Sequence, residues 1–158
     1  MLRKTIGDVW KILPWRVRAK IIRLTQQKFT VSAAAVVLNP ECEVLLLNHV
    51  LRPSSGWGLP GGFLQKGEQP DVGIRREIRE EIDLELDSLA LFRVRTLGSH
   101  IEMIFTARAA GTPKVVSREI YEFGWFDPAS LPAKLSISQK NVINKVMNLT
   151  FDKNSTAV

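Results

Sequence analysis

Two nearly continuous apolar runs dominate the first half of the chain: TVSAAAVVL at 30–38 and EVLLLNHV at 43–50, with the turn cluster NPE between them. Short apolar runs bounded by turn residues predict a pair of buried strands. SSGWGLPGGF at 54–63 then predicts an ordered loop whose backbone is set by glycine and proline. From Asp71, a suitable cap residue, a helix is predicted to about Ile82, with Ile74 and Ile78 one turn apart and Val72 beside them as the apolar side. ALFRVRTL at 90–97 and HIEMIFTARA at 100–109 predict two strands joined at Gly98 and Ser99, and EIYEFGWF at 119–126 a further strand. Val142, Val146 and Leu149 share one stripe of a closing helix over 136–149, and the tail from Asp152 is expected to fray. Ahead of all this, residues 1–29 predict two short helices divided at Pro14, which suits a first helical position. Strands, one internal helix, more strands and a terminal helix together predict an α/β sandwich with a mixed β-sheet.

Composition narrows the class. A length of 158 residues favours one domain, and 45% hydrophobic with 24% charged residues fits a globular protein. The longest apolar run, AAAVVL, is far too short to cross a bilayer. The single cysteine, Cys42, cannot form an internal disulfide, so a reducing, cytoplasmic setting is expected.

Charge is unevenly placed. Residues 1–30 hold eight Lys/Arg and one acid, Asp8, a balance of +7, whereas the other 14 basic and 15 acidic residues balance to −1. The overall net charge of +6 therefore belongs to the N-terminal segment and is a weak argument for nucleic-acid binding by the body. Val17, Ile21 and Leu24 lie on one helical face with Arg16, Lys20 and Arg23 beside them. Residues 1–29 then have several readings: a helix packed on the body or across a homodimer, a membrane-surface helix, an RNA contact, or a transit segment that is Arg-rich but lacks serine.

The most unusual patterning lies on the internal helix. Glu77, Glu80 and Glu81 fall at i, i+3 and i+4, so three carboxylates leave one face and repel one another. Arg75 and Arg79 cannot offset them, because the helical period sets these two roughly 160° and 200° from Glu77. A hard divalent cation is the better partner: Mg²⁺ takes carboxylate oxygens and fills its remaining positions with water and substrate phosphates.

Gly62, five residues, Glu68, seven residues and then REIREEIDL closely resembles the Nudix box, in which Arg76, Glu77, Ile78, Glu80, Glu81 and Leu84 all fit. The preceding GLPGG also resembles the family's approach to the box. One position departs: Asp83 stands where the family has glycine to end the helix left-handed, which Asp tolerates better than most residues.

The resemblance implies a Nudix-type α/β/α sandwich over residues 30–150, with 1–29 as an extension and 151–158 as a tail. It also implies Mg²⁺-dependent hydrolysis (Mn²⁺ as substitute) of a diphosphate linkage in a nucleotide-type small molecule. Glu77, Glu80, Glu81 and the backbone carbonyl of Gly61 or Gly62 would hold the cation, and Glu68 and Arg76 would form a supporting ion pair. The general base would be Glu80 or a glutamate outside the box, with Glu119 preferred over Glu122 and Glu102. Trp57, His49 and Arg52 are candidates for substrate contact; His100, Trp125 and Phe126 are further lining candidates. The residues by which the resembling ADP-ribose, dinucleoside-polyphosphate and coenzyme A families are recognised have no counterpart here, which leaves a nucleoside triphosphate by elimination. The alternative is a Nudix domain kept as a nucleotide-sensing or interaction module.

Overall fold

A computed structural model describes residues 2–51 and 56–155. Two helices, α1 (Leu2–Ile12) and α2 (Trp15–Thr25), come first, with Pro14 at the break between them. Strands β1 (Thr30–Leu38) and β2 (Val44–His49) follow, then the short strands β3 (Trp57–Gly58) and β4 (Gly61–Phe63) and helix α3 (Pro70–Ile82). Strands β5 (Glu85–Leu97), β6 (His100–Ala110) and β7 (Ile120–Phe126) and helix α4 (Ile137–Ser155) complete the order.

The sheet is mixed and centred on β1, in the order β3-β2-β1-β6-β5, with β4 also on β1 and β7 also on β2. β1 runs parallel to β6 from Thr30↔His100 to Leu38↔Arg108, and antiparallel to its other neighbours. Its apolar run is continuous because both faces are covered. Ala33, Ala35, Val37, Leu45 and Leu47 face Ile74, Ile78 and Ile82 of α3. Val36, Leu38, Val44 and Leu46 face Val142, Ile143, Val146 and Met147 of α4. This is the α/β/α sandwich that the pattern predicts.

Differences from the sequence expectations are local. β1 meets β2 at Leu38↔Val44, while Ser32, Ala33 and Ala34 pair instead with β4. The expected loop 54–63 thus contains two strands, too short to leave a period in the sequence. Cys42 sits in the intervening turn at φ 63°, and Asn39 closes that turn by accepting the Glu43 amide at 2.8 Å. α3 starts at Pro70, with Gln69 rather than Asp71 at the cap, and Asp71 supplies only charge to the first turn. Val72 is 54% exposed and lies off the buried stripe, which Ile82 joins instead. β5 begins five residues before Ala90, because register shifts near Ser88 (φ 51°) and Phe92 break the alternation. In α4, Ile143 and Met147 complete the stripe while Leu149 is exposed, and the helix continues to Ser155 where fraying was expected.

The correction at Val72 is directly testable. Ile78→Ala empties a fully buried site and should cost about 2–5 kcal/mol of unfolding free energy. Val72→Ala should stay within about 0.5 kcal/mol, as surface substitutions do. Urea midpoints of the two variants check the assignment, and similar losses at both sites would contradict it.

Candidate functional site

The acidic face of α3 lies against the turn between β3 and β4. Gly61 enters that turn at φ +142°, where a Cβ would stand 2.2 Å from the Ala33 carbonyl oxygen, so only glycine fits. At Gly62 a Cβ would stand 2.5 Å from the Glu77 carboxyl carbon. The backbone of the turn therefore rests directly on the Glu77 carboxylate.

Arg76 organises the rest. Its Nε donates to Glu68 Oε1 at 2.7 Å and its Nη2 to Glu68 Oε2 at 3.0 Å, a two-pronged pair. Nη1 reaches Glu77 Oε1 and Glu80 Oε2, both at 2.9 Å. The same guanidinium reaches back to the β4 carbonyl of Phe63 at 3.4 Å. Glu68 also accepts the Gln65 amide at 2.8 Å, which fixes the loop between β4 and α3. The Arg76 pair, with help from that amide, holds the Glu68 carboxyl down at about 2. Glu77 moves the other way: half-burial raises it despite the opposing pull of Arg76, and neighbouring Glu80 adds to the rise.

Glu81 is buried, with Oε1 3.9 Å from His49 Nδ1 at the end of β2. Its backbone carbonyl accepts the amides of Val116 and Ser117, so the segment before β7 docks on the end of α3. Arg79 turns away to Glu85 and Arg75 to the Leu86 carbonyl, as the helical period requires.

Among the described residues, no three acidic or histidine side chains already stand as a closed metal cage. The donor chemistry nevertheless fits a hard divalent cation. Glu68, Glu77 and Glu80 share the Arg76 guanidinium, Glu81 stands beside His49, and Glu77 is a half-buried carboxylate whose charge is incompletely offset. Glu77, Glu80 and Glu81, with backbone oxygen from the adjoining glycine turn, are the groups that could hold such an ion.

The other predicted residues separate. Glu119 is exposed just ahead of β7, and its carbonyl accepts the amide of Val50, next to His49. Glu122 accepts from Asn48 Nδ2 at 3.0 Å on the α4 side, and Glu102 pairs with Arg95. Trp57 packs edge-on to Phe126, centroids 4.9 Å apart, in the α4-side core, whereas Trp125 packs on the α3 side. His100 is held by the hydroxyls of Thr30 and Ser32 and lies against Phe63. Arg52 falls outside the described residues. On the α4 side of the glycine turn is a cleft of about 180 Å³ lined by Ser32, Gly61, Gly62, Phe63, Glu102 and Gln139. Sequence reasoning missed two contacts. Arg76 to Glu80 is an i, i+4 pair that the period contains, whereas His49 to Glu81 spans 32 positions and leaves no local signal.

A family model described as NUDIX domain matches residues 28–146. The 8-oxo-dGDP phosphatase NUDT18 of Mus musculus is 36% identical over 107 residues, 64% of this chain and 33% of its own length. The chain thus spans about a third of that relative. A MutT-like protein of Streptomyces ambofaciens is 29% identical over 110 residues, 68% of this chain and 70% of its own. The crystal structure of a MutT NUDIX hydrolase from Burkholderia pseudomallei superposes with a TM-score of 0.66 at 27% identity, covering 75% of this chain and 98% of the other.

The Glu68–Arg76 pair sets a pH dependence. A carboxyl held at about 2 in the folded chain, against an ordinary 4.5, adds stability above pH 4.5 that is lost as pH falls toward 2. Glu68→Gln should therefore be less stable than the natural chain at pH 7, with the gap in urea midpoint closing between about pH 4.5 and 2. A gap that persists unchanged at pH 2 would show that the pair's charge is irrelevant.

Proposed function

The chain belongs to the Nudix family, and from that premise we propose that it hydrolyses a phosphoric anhydride bond in a nucleoside di- or triphosphate with Mg²⁺ bound, Mn²⁺ serving as substitute. The observation that carries this reading is the α3 face, where Glu77, Glu80 and Glu81 leave one helix against a glycine-only turn, with the Arg76 guanidinium on Glu77 and Glu80. Glu77, Glu80, Glu81 and the Gly61 carbonyl hold the ion in this reading. Glu68 and Arg76 act as positioning residues, tying the loop to the helix. The cation supplies charge neutralisation on the phosphate chain and a more acidic water. The residues themselves bind, orient and take up a proton.

Two carboxylates are open to solvent for that last task, Glu80 on α3 and Glu119 beside the end of β2. The relative named 8-oxo-dGDP phosphatase supports adding oxidised purine nucleotides to the triphosphates reached by elimination. The catalytic domain in this reading is residues 30–150, close to the matched span of 28–146. His49 then serves the site through its contact with Glu81, and Trp57 seals the turn onto the core beneath it.

Product release should be measured for a panel of normal and oxidised nucleoside di- and triphosphates, nucleotide sugars, ADP-ribose, dinucleoside polyphosphates and capped RNA, with Mg²⁺. Glu81→Gln, nearly isosteric, should keep the fold by circular dichroism and lose on the order of 10²- to 10⁴-fold in turnover. Undiminished turnover in that variant would sink the metal assignment. Glu80→Gln and Glu119→Gln, compared across pH, identify the base as the one whose loss costs about 10²- to 10⁴-fold and flattens the acidic limb.

A further inference from the structure

The N-terminal helices have no part in the site just described. No residue of α2 is buried, and several apolar side chains of this segment stay in solvent: Ile12 is 80% exposed, Leu24 73% and Trp15 68%, with Val9 and Ile22 about half exposed. These side chains lie on both helices and on both flanks of the basic arc of α2, and together they leave more apolar surface in water than a chain without a partner carries. Arg16, Lys20 and Arg23 share one arc of α2, beside Val17, Ile21 and Leu24 and roughly 100° from them by the helical period. The lone acid, Asp8, is already paired with Lys11 at 3.6 Å.

We infer that α1 and α2 form an amphipathic docking segment for an anionic lipid surface. Charge complementarity selects the partner. A second copy of this chain would set +7 against +7, and its remaining residues, at −1, offer little compensation. A single-stranded nucleic acid satisfies the cations but uses stacked aromatic faces, whereas most of the exposed apolar surface here is aliphatic. An anionic bilayer interface takes both halves at once. Aliphatic side chains enter the headgroup–acyl boundary, the basic side chains meet lipid phosphates, and Trp15 sits at the level where tryptophan is favoured. The segment lies on the membrane and does not cross it: among the described residues, no helix is long and apolar enough to span.

The test uses the full chain with vesicles of phosphatidylcholine alone or mixed with phosphatidylglycerol, read by co-sedimentation at low and high ionic strength. The chain should partition onto the mixed vesicles, bind phosphatidylcholine weakly and detach as salt rises. Combined Arg16→Gln, Lys20→Gln and Arg23→Gln should weaken partition on the order of 100-fold. Combined Ile12→Asp and Leu24→Asp should abolish it, with circular dichroism and nucleotide turnover in solution unchanged. Absence of partition at low ionic strength, or equal partition onto both vesicle types, overturns the assignment. So does binding of a short single-stranded RNA, or a doubling of mass by light scattering, that the Ile12→Asp and Leu24→Asp chain loses in the absence of vesicles.

Discussion

The guanidinium of Arg76 is the interaction on which the site depends. Among the described residues it is the one cation paired with Glu68, Glu77 and Glu80, and it joins three pieces of chain: the loop before α3, the helix itself and, through the Phe63 carbonyl, the end of β4. Magnitudes show why the helix tolerates its acidic face. A like-charged pair one turn apart costs about 0.2–0.5 kcal/mol. Ile74, Ile78 and Ile82 are all fully buried on the other side, each worth roughly 1.5–3 kcal/mol. Burial outweighs the repulsion several-fold, so α3 can carry poorly neutralised charge where chemistry needs it.

The glycine turn gives that charge its address. Gly61 can pair with β1 because it has no Cβ to meet the Ala33 carbonyl and the Ala34 Cα, and Gly62 then rests on the Glu77 carboxylate. The same pairing displaces β2 from the N-terminal half of β1, which is why the two apolar runs meet only near their turn.

Much of this was legible in the sequence, and the limits have physical causes. The sandwich follows from apolar runs covered on both faces and from one stripe on each helix; Ile74, Ile78, Val142 and Val146 all lie where the period puts them. The carboxylate face was legible because spacing on a helix fixes direction, and the Glu68–Arg76 pair through the resemblance to the Nudix box. What escaped were features without a period: β3 and β4, at two and three residues, the bulged start of β5, and the contact of His49 with Glu81. Trp57 shows the same limit. Its place beside the turn suited a ligand contact, but only the pairing of β3 with β2 carries its ring to Phe126 and the α4-side core.

Asp83 joins local strain to site geometry. It ends α3 at φ 50°, ψ 40°, the left-handed conformation that its side chain tolerates at a cost of about 1–2 kcal/mol. A helix end held only by such a cap would fray within a turn, and that turn contains Glu80 and Glu81. Here the end has other supports. The Asp83 amide bonds the Arg79 carbonyl at 3.0 Å, and the Ile82 carbonyl accepts Lys114 at 2.7 Å. The Glu81 carbonyl takes the amides of Val116 and Ser117 at 3.1 and 3.3 Å. Each such bond contributes roughly 0.5–1.5 kcal/mol, so together they exceed the strain at the cap. The segment before β7 thus holds the last turn of α3 in place, which is why this chain can do without a glycine where its family has one.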